Sequence, residues 1–226
     1  MSFDVNAVLG MLQLADSAYP AGGFAFSWGV EGLAADGQLN SIEQLDHVIE
    51  DQLSYRWHTL DRILLRSVFK CENVDQVSFE DLRAEAVTAS LEMRQGSRRA
   101  GRALLGVSVK LGGATAQLYR EKVARDERLG HLPIVQAIVS RDAGLKLDAS
   151  ELISGWTLIT GLTSAAVRLG VIGHVDAQNC QTKARNVLSR LLACRPPDDA
   201  IPFTFTPLID IAVARGPHRD VRMFST

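Results

Sequence analysis

Residues 12–31, LQLADSAYPAGGFAFSWGVE, hold the corner around which the chain is arranged. Just upstream, Val5, Val8, Leu9 and Leu12 recur at i, i+3, i+4 and i+7, the spacing of an amphipathic helix. That pattern runs into Pro20-Ala21-Gly22-Gly23, where proline presets φ for a turn and paired glycines permit angles that other residues resist. Ser27 has the chemistry of an N-cap for a following helix. The corner carries the aromatics Phe24, Phe26 and Trp28, then the carboxylate Glu31. Residue types alone favour a helix-turn-helix corner whose aromatics plug a core.

Outward from this corner the periodicity is almost entirely helical. Ser41-Ile42-Glu43-Gln44 has the form of a capping box and predicts a helix with Leu45, Val48, Ile49 and Leu53 inward. A second helix carries Leu60, Ile63, Leu64 and Val68 to Cys71. Asn73 and Asp75 mark a break, after which Ser78 is expected to cap a helix with Leu82, Ala86, Val87 and Leu91 on its apolar side. Gly96, Gly101 and Gly106 then fall inside a helical stretch. Each costs about 1 kcal/mol against alanine there, so close backbone approach is their expected use. Gly112-Gly113 ends that stretch, a helix follows over 115–126, and Gly130-His131-Leu132-Pro133 turns the chain into an apolar helix stopped by Gly144. Asp148-Ala149-Ser150-Glu151 reads as another box-like start, opening a long helix with Leu152, Trp156, Ile159, Leu162, Ala166 and Leu169 on one stripe. Its partner presents Cys180, Ala184, Val187, Leu188 and Leu191 and ends at Pro196-Pro197. A loop and short helix occupy 201–214, and the tail, 215–226, shows little periodicity. The expected fold is all-α: a single domain, residues 1–226, of about ten helices with a flexible C-terminal tail.

Composition bounds the function. At 226 residues with 46% apolar and 22% charged, the chain can bury a sizeable core. Lys plus Arg is 24 against 26 Asp plus Glu, so no global field holds nucleic acid or an anionic membrane. No stretch reaches transmembrane length, the start lacks a signal-peptide pattern, and Cys71, Cys180 and Cys194 form no CxxC pair. A reducing, cytoplasmic setting is the expectation. Nucleotide-binding glycine loops, a nucleophile elbow and HExxH are absent from the sequence, and the five histidines lie far apart. Neither a catalytic residue, nor a cofactor, nor a metal site is expected.

One cluster stands out. Arg94, Arg98 and Arg102 stand at i, i+4 and i+8 and share a helical face. Ion pairing with Glu92 and neighbouring acids accounts for such a face as readily as a planar-donor surface for carboxylate or phosphate does. Arg168 follows a long apolar helix, where it can serve the helix C-terminus or an exposed contact.

Taken together these blocks resemble the urease accessory protein family UreF. The opening is similar to that family's LLQLxSxxxPxGGFxxSxGLE signature, here carried by Leu12-Gln13-Leu14, Ser17, Pro20, Gly22, Gly23, Phe24, Ser27 and Glu31. The likeness continues at Leu60-Asp61, at Glu92 and Arg94 through Arg98 to Leu105, at Gly130 to Pro133, at Ser164 to Leu169 and at Phe205 to Ala212. It closes on Arg222-Met223-Phe224, similar to the family's RLFRS ending. The resemblance implies a homodimeric all-α protein without catalytic activity. Such a protein bridges a UreD-type (or UreH-type) accessory protein and the GTPase UreG, and supports nickel insertion into apo-urease as part of a metallochaperone complex. It further implies partner-binding roles for Glu31, Asp61, Glu92, Arg94, Arg98, Arg102 and Arg168, a tail contact through Arg222 and Phe224, and a structural corner at Pro20, Gly22, Gly23, Phe24 and Ser27. Phe26 cannot ligate metal, and Ser225 stands where the family has a basic residue. An alternative of another class makes the chain a regulator of GTP hydrolysis, supplying one arginine to the γ-phosphate of UreG.

Overall fold

A computed structural model describes residues 4–20, 26–216 and 223–224, and every regular element among them is helical. The elements are α1 (Val5–Ala15), α2 (Val30–Ala35), α3 (Ile42–Gln52), a π-helical segment (Leu53–Asp61), α4 (Arg62–Lys70), α5 (Val74–Val87), α6 (Leu91–Lys110), α7 (Ala114–Arg125), α8 (Leu132–Asp142), α9 (Leu147–Arg168), α10 (His174–Ala193) and α11 (Pro207–Ala214). The all-α expectation holds, and one contiguous apolar cluster joins residues from Phe26 to Phe224.

The centre is α8. Eight of its eleven residues are buried, so it is apolar all round and takes α4, α6, α7 and α9 on different sides. Pro133 sits in its first turn, and Gly144 follows its end with φ +73°. Two glycines of α6 make room for close neighbours, Gly101 for the entry to α8 and Gly96 for the corner. A Cβ on Gly101 would stand 2.1 Å from the Gly130 carbonyl oxygen, and one on Gly96 would stand 2.1 Å from the Phe26 ring. Gly106 faces open space and has no such role.

Where two helices were expected before Cys71, α3, the π segment and α4 run on as one rod. The wider turn rotates the register, so Arg56, Trp57, Leu60, Asp61 and Arg62 are all buried. It also leaves carbonyls for outside donors. The amides of Phe203 and Phe205 bond to the oxygens of Thr59 and Tyr55, both at 3.0 Å, and so tie the extended segment 201–206 to the rod.

Three local expectations are corrected. Asn73, not Ser78, caps α5: its Oδ1 accepts from the amides of Asp75 and Gln76, while the Ser78 hydroxyl donates back to the Val74 carbonyl. The buried face of α5 is therefore Val77, Asp81 and Ala84. Leu152 is exposed and Glu151 is not a capping group. Glu151 takes Arg62 at 3.0 Å and Arg66 at 2.6 Å, and Arg62 also donates to the carbonyls of Leu191 and Cys194 at the end of α10. At the corner, α2 begins after Gly29 instead of Ser27, because Trp28 (φ +54°) and Gly29 (φ +87°) turn the chain first. Ser27 supplies its carbonyl, not its side chain, to the Val30 amide.

Candidate functional site

The corner places two aromatics in the core and one carboxylate at the rim. Phe26 meets Trp28 edge-on with ring centroids 4.5 Å apart, and the Arg56 guanidinium covers Trp28 at 5.2 Å. Gly29 and Gly32 let α2 press against α11, where a Cβ would lie 2.7 Å from an Ile209 methyl and from the Ala212 oxygen respectively. The short helix so fixed presents Glu31 in its first turn.

Glu31 holds the end of the chain. Its carboxylate accepts the Met223 amide at 2.5 Å and the Phe224 amide at 3.3 Å. The Phe224 ring is inserted, only 4% exposed, and the Arg168 guanidinium lies over it at 4.2 Å. Three residues named separately from the sequence thus form a single seat. Beneath it is a cavity of about 280 Å³, lined by Phe224 and Arg168 at one part and by Asp61, Trp57, Gln136, Ser154 and Thr157 at others.

Asp61 is not a surface group. It is 6% exposed, its Oδ2 lies 3.5 Å from Arg56 Nε, and burial pushes its carboxyl above the usual carboxylate range despite Arg56. The π turn carries it inward. The arginine face is also turned to internal work. Arg94 donates to the carbonyls of Thr88 and Ala89 and pairs with Glu85 at 3.2 Å, Arg98 bonds Glu85, and Arg102 reaches the carbonyls of Glu127 and Leu129. Glu92, expected beside these arginines, instead accepts from the Ser90 hydroxyl at 3.1 Å. Gly22, Gly23, Phe24 and Arg222 lie outside the described residues, while Pro20 lines the cavity.

The network behind that arginine face escaped the sequence reading. Asp81 accepts from Tyr119, from the Gly130 amide at 2.5 Å and from the His131 amide at 3.1 Å, and burial outweighs these donors to push its carboxyl up to about 7. His131 Nε2 lies 2.9 Å from Glu85, yet burial draws the imidazole down to about 4. The pair Asp81 and Glu85 at i, i+4 beside Val77 and Ala84 was the available signal, a charged stripe interrupting an apolar face.

Among the described residues, two apolar faces have no cover. None of the residues of α1 is buried, and Val5, Leu9 and Leu12 are 61%, 58% and 63% exposed. On other elements, Tyr55, Ile201, Phe203, Phe205, Leu208 and Ile211 are each at least half exposed. Among the described residues no cluster of three or more His, Cys, Asp or Glu could hold a metal ion, and no helix is long and apolar enough to cross a membrane.

Residues 39–185 match the UreF family. The chain belongs to it. Over almost the full length it is similar to the urease accessory protein UreF of Trichodesmium erythraeum, at 28% identity across 98% of both chains. UreF of Arthrobacter sp. (strain FB24) is 28% identical over 96% of both, and UreF of Paenarthrobacter aurescens is 30% identical over 80% of both. The UreF match takes in Asp61, the α6 arginines and Arg168 but stops short of Glu31 and Phe224, so the seat joins the family region to flanks on either side of it.

Proposed function

We propose that the chain is a non-catalytic bridging subunit of urease maturation, which joins a UreD-type (UreH-type) accessory protein to a UreG-type GTPase and so supports nickel delivery to apo-urease. Family membership and the relatives' names supply the process. The carrying observation is the pair of uncovered apolar faces: the stripe of α1, which rests on α9, and the strip from 201 to 211, which rests on the π segment and α2. Large exposed apolar patches mark protein interfaces, and a bridge requires two. The whole chain acts as one unit, in the cytoplasm and as a homodimer. Arg94, Arg98 and Arg102 already serve internal acceptors, which supports docking over the supply of an arginine to GTP.

The test is co-purification of the intact chain with purified UreD-type and UreG-type proteins. Leu9→Glu and Phe205→Glu should each weaken one association at least tenfold and leave the other. Failure of the unaltered chain to bind either protein, or equal loss of both with each variant, would sink the bridge.

A further inference from the structure

The space that Phe224 borders is a cleft, partly open to solvent and walled mainly by apolar groups such as Trp28, Leu104, Leu132, Ile153 and Leu158. Its volume is about 280 Å³. A core cavity of roughly 150 Å³ is enough to take up benzene, so a body of one ring fits here with space to spare.

The polar groups deep in this wall mostly satisfy one another. Trp57 Nε1 donates to Ser154 Oγ at 3.2 Å, that hydroxyl donates to Gln136 Oε1 at 2.9 Å, and Gln136 Nε2 donates to Thr157 Oγ1 at 3.3 Å. Thr157 closes the chain on the Ser154 carbonyl at 3.0 Å, and Ser150 donates to Ser140 at 2.9 Å. Asp61 is the buried exception. It lines the cleft at 6% exposure, and among the described residues no group donates a hydrogen bond to its carboxylate. Arg56 Nε stands 3.5 Å from Oδ2, near enough to balance the charge, yet makes no hydrogen bond. A carboxylate accepts several donors, and burying one without them is costly.

What Asp61 lacks is a donor, not a counter-charge. Arg56 faces it and Arg168 borders the same cleft, so a cation would enter against two guanidinium groups. The walls favour an apolar body: Trp28 and Trp57 offer indole surface, and Gly161 leaves room beside Trp28, whose Nε1 would be 3.6 Å from an added Cβ.

We propose that this cleft binds a phenol-like ligand, an aromatic ring with a single uncharged donor, whose ring rests on the apolar walls while its O–H or N–H is donated to Asp61. A free aromatic solute and a tyrosine or tryptophan side chain on a bound peptide share this chemistry. The cleft is separate from the outward stripe of α1 and from the strip 201–211, so binding is a property of the isolated chain.

The three indole N–H signals in a proton–nitrogen correlation spectrum of the full chain report on the site, because Trp28 and Trp57 line it and Trp156 does not. Titration with p-cresol should shift the signals of Trp28 and Trp57 saturably and leave that of Trp156. Toluene, which keeps ring and methyl but has no donor, should bind at least about tenfold more weakly. Benzylamine, a cation of similar size, should bind no better than toluene. Asp61→Leu should lower the affinity for p-cresol to that for toluene. Binding of N-acetyltyrosinamide as well as p-cresol assigns the donor to a peptide side chain, whereas p-cresol alone assigns it to a free solute. The proposal is overturned by the absence of a saturable shift with p-cresol, by equal affinities for p-cresol and toluene, or by tighter binding of benzylamine. It is also overturned if folded Asp61→Leu keeps the preference for p-cresol. The ligand series on the unaltered chain decides the matter whether or not that variant folds.

Discussion

Glu151 and Glu31 each gather two partners, in opposite surroundings. Glu151 is 3% exposed between Arg62 and Arg66, and Arg62 in turn closes the carboxyl end of α10. Glu31 stands at the rim and takes two backbone amides from the end of the chain. Buried charges cannot turn to water if a partner leaves, so the first cluster must be permanent. A rim carboxylate can exchange an amide for water at small cost, so the second is free to open. The same functional group makes a rivet in one place and a clasp in the other.

The widest gap between them should appear on deletion. Glu151→Ala strands two buried guanidinium groups and should cost about 3–5 kcal/mol of unfolding free energy in a denaturant titration. A loss below about 1 kcal/mol would erase the distinction.

The interior can be probed further with pH, because folding shifts a proton between neighbours. Asp81 is raised to about 7, so taken alone it adds stability as pH falls through 7 towards the unfolded carboxylate range. His131 is lowered to about 4, so taken alone it withdraws stability as pH falls below the ordinary 6.5. Between about pH 4 and 6.5 the two slopes oppose and stability should be nearly level. His131→Gln should expose the carboxyl, with stability rising as pH drops from 7 to 5. Asp81→Asn should expose the imidazole, with stability falling over that window. Each slope should approach about 1.4 kcal/mol per pH unit in thermal or urea unfolding. Parallel curves for the two variants would show that the protons are not partitioned in this way.

The smallest effect belongs to the clasp. Glu31→Ala should lower stability by less than about 1 kcal/mol while amide exchange at Met223 and Phe224 quickens markedly. Loss of the fold instead would place Glu31 with Glu151.

What could be read in advance was local. Ser41, Pro133 and Gly144 mark helix ends by their own chemistry, and Gly96 and Gly101 announce close approach wherever the neighbour comes from. What escaped was set at a distance. Asn73 and Ser78 are both fair caps, and the choice falls to Asn73 because burying Val77 and Ala84 fixes the rotation of α5. Glu151 resembles a capping residue until the arginines of α4 arrive from elsewhere in the chain. The arginines of α6 look outward until Glu85 and the 127–129 carbonyls are placed beside them. Of the candidate site, Glu31, Arg168 and Phe224 could be named one by one, but their meeting over a cavity depends on α2, α9 and the tail converging.

The π turn also carries a schedule. A chain emerging from the ribosome offers its early portion first, so the rod can form long before residues 203 and 205 exist to take up the oxygens of Thr59 and Tyr55. Until then those oxygens are kept by water, and Arg62 likewise has no α10 to hold. The aromatic strip from 201 to 211 is thus added only after α1 to α10 have been made, and of the two outward apolar faces it is the later to appear.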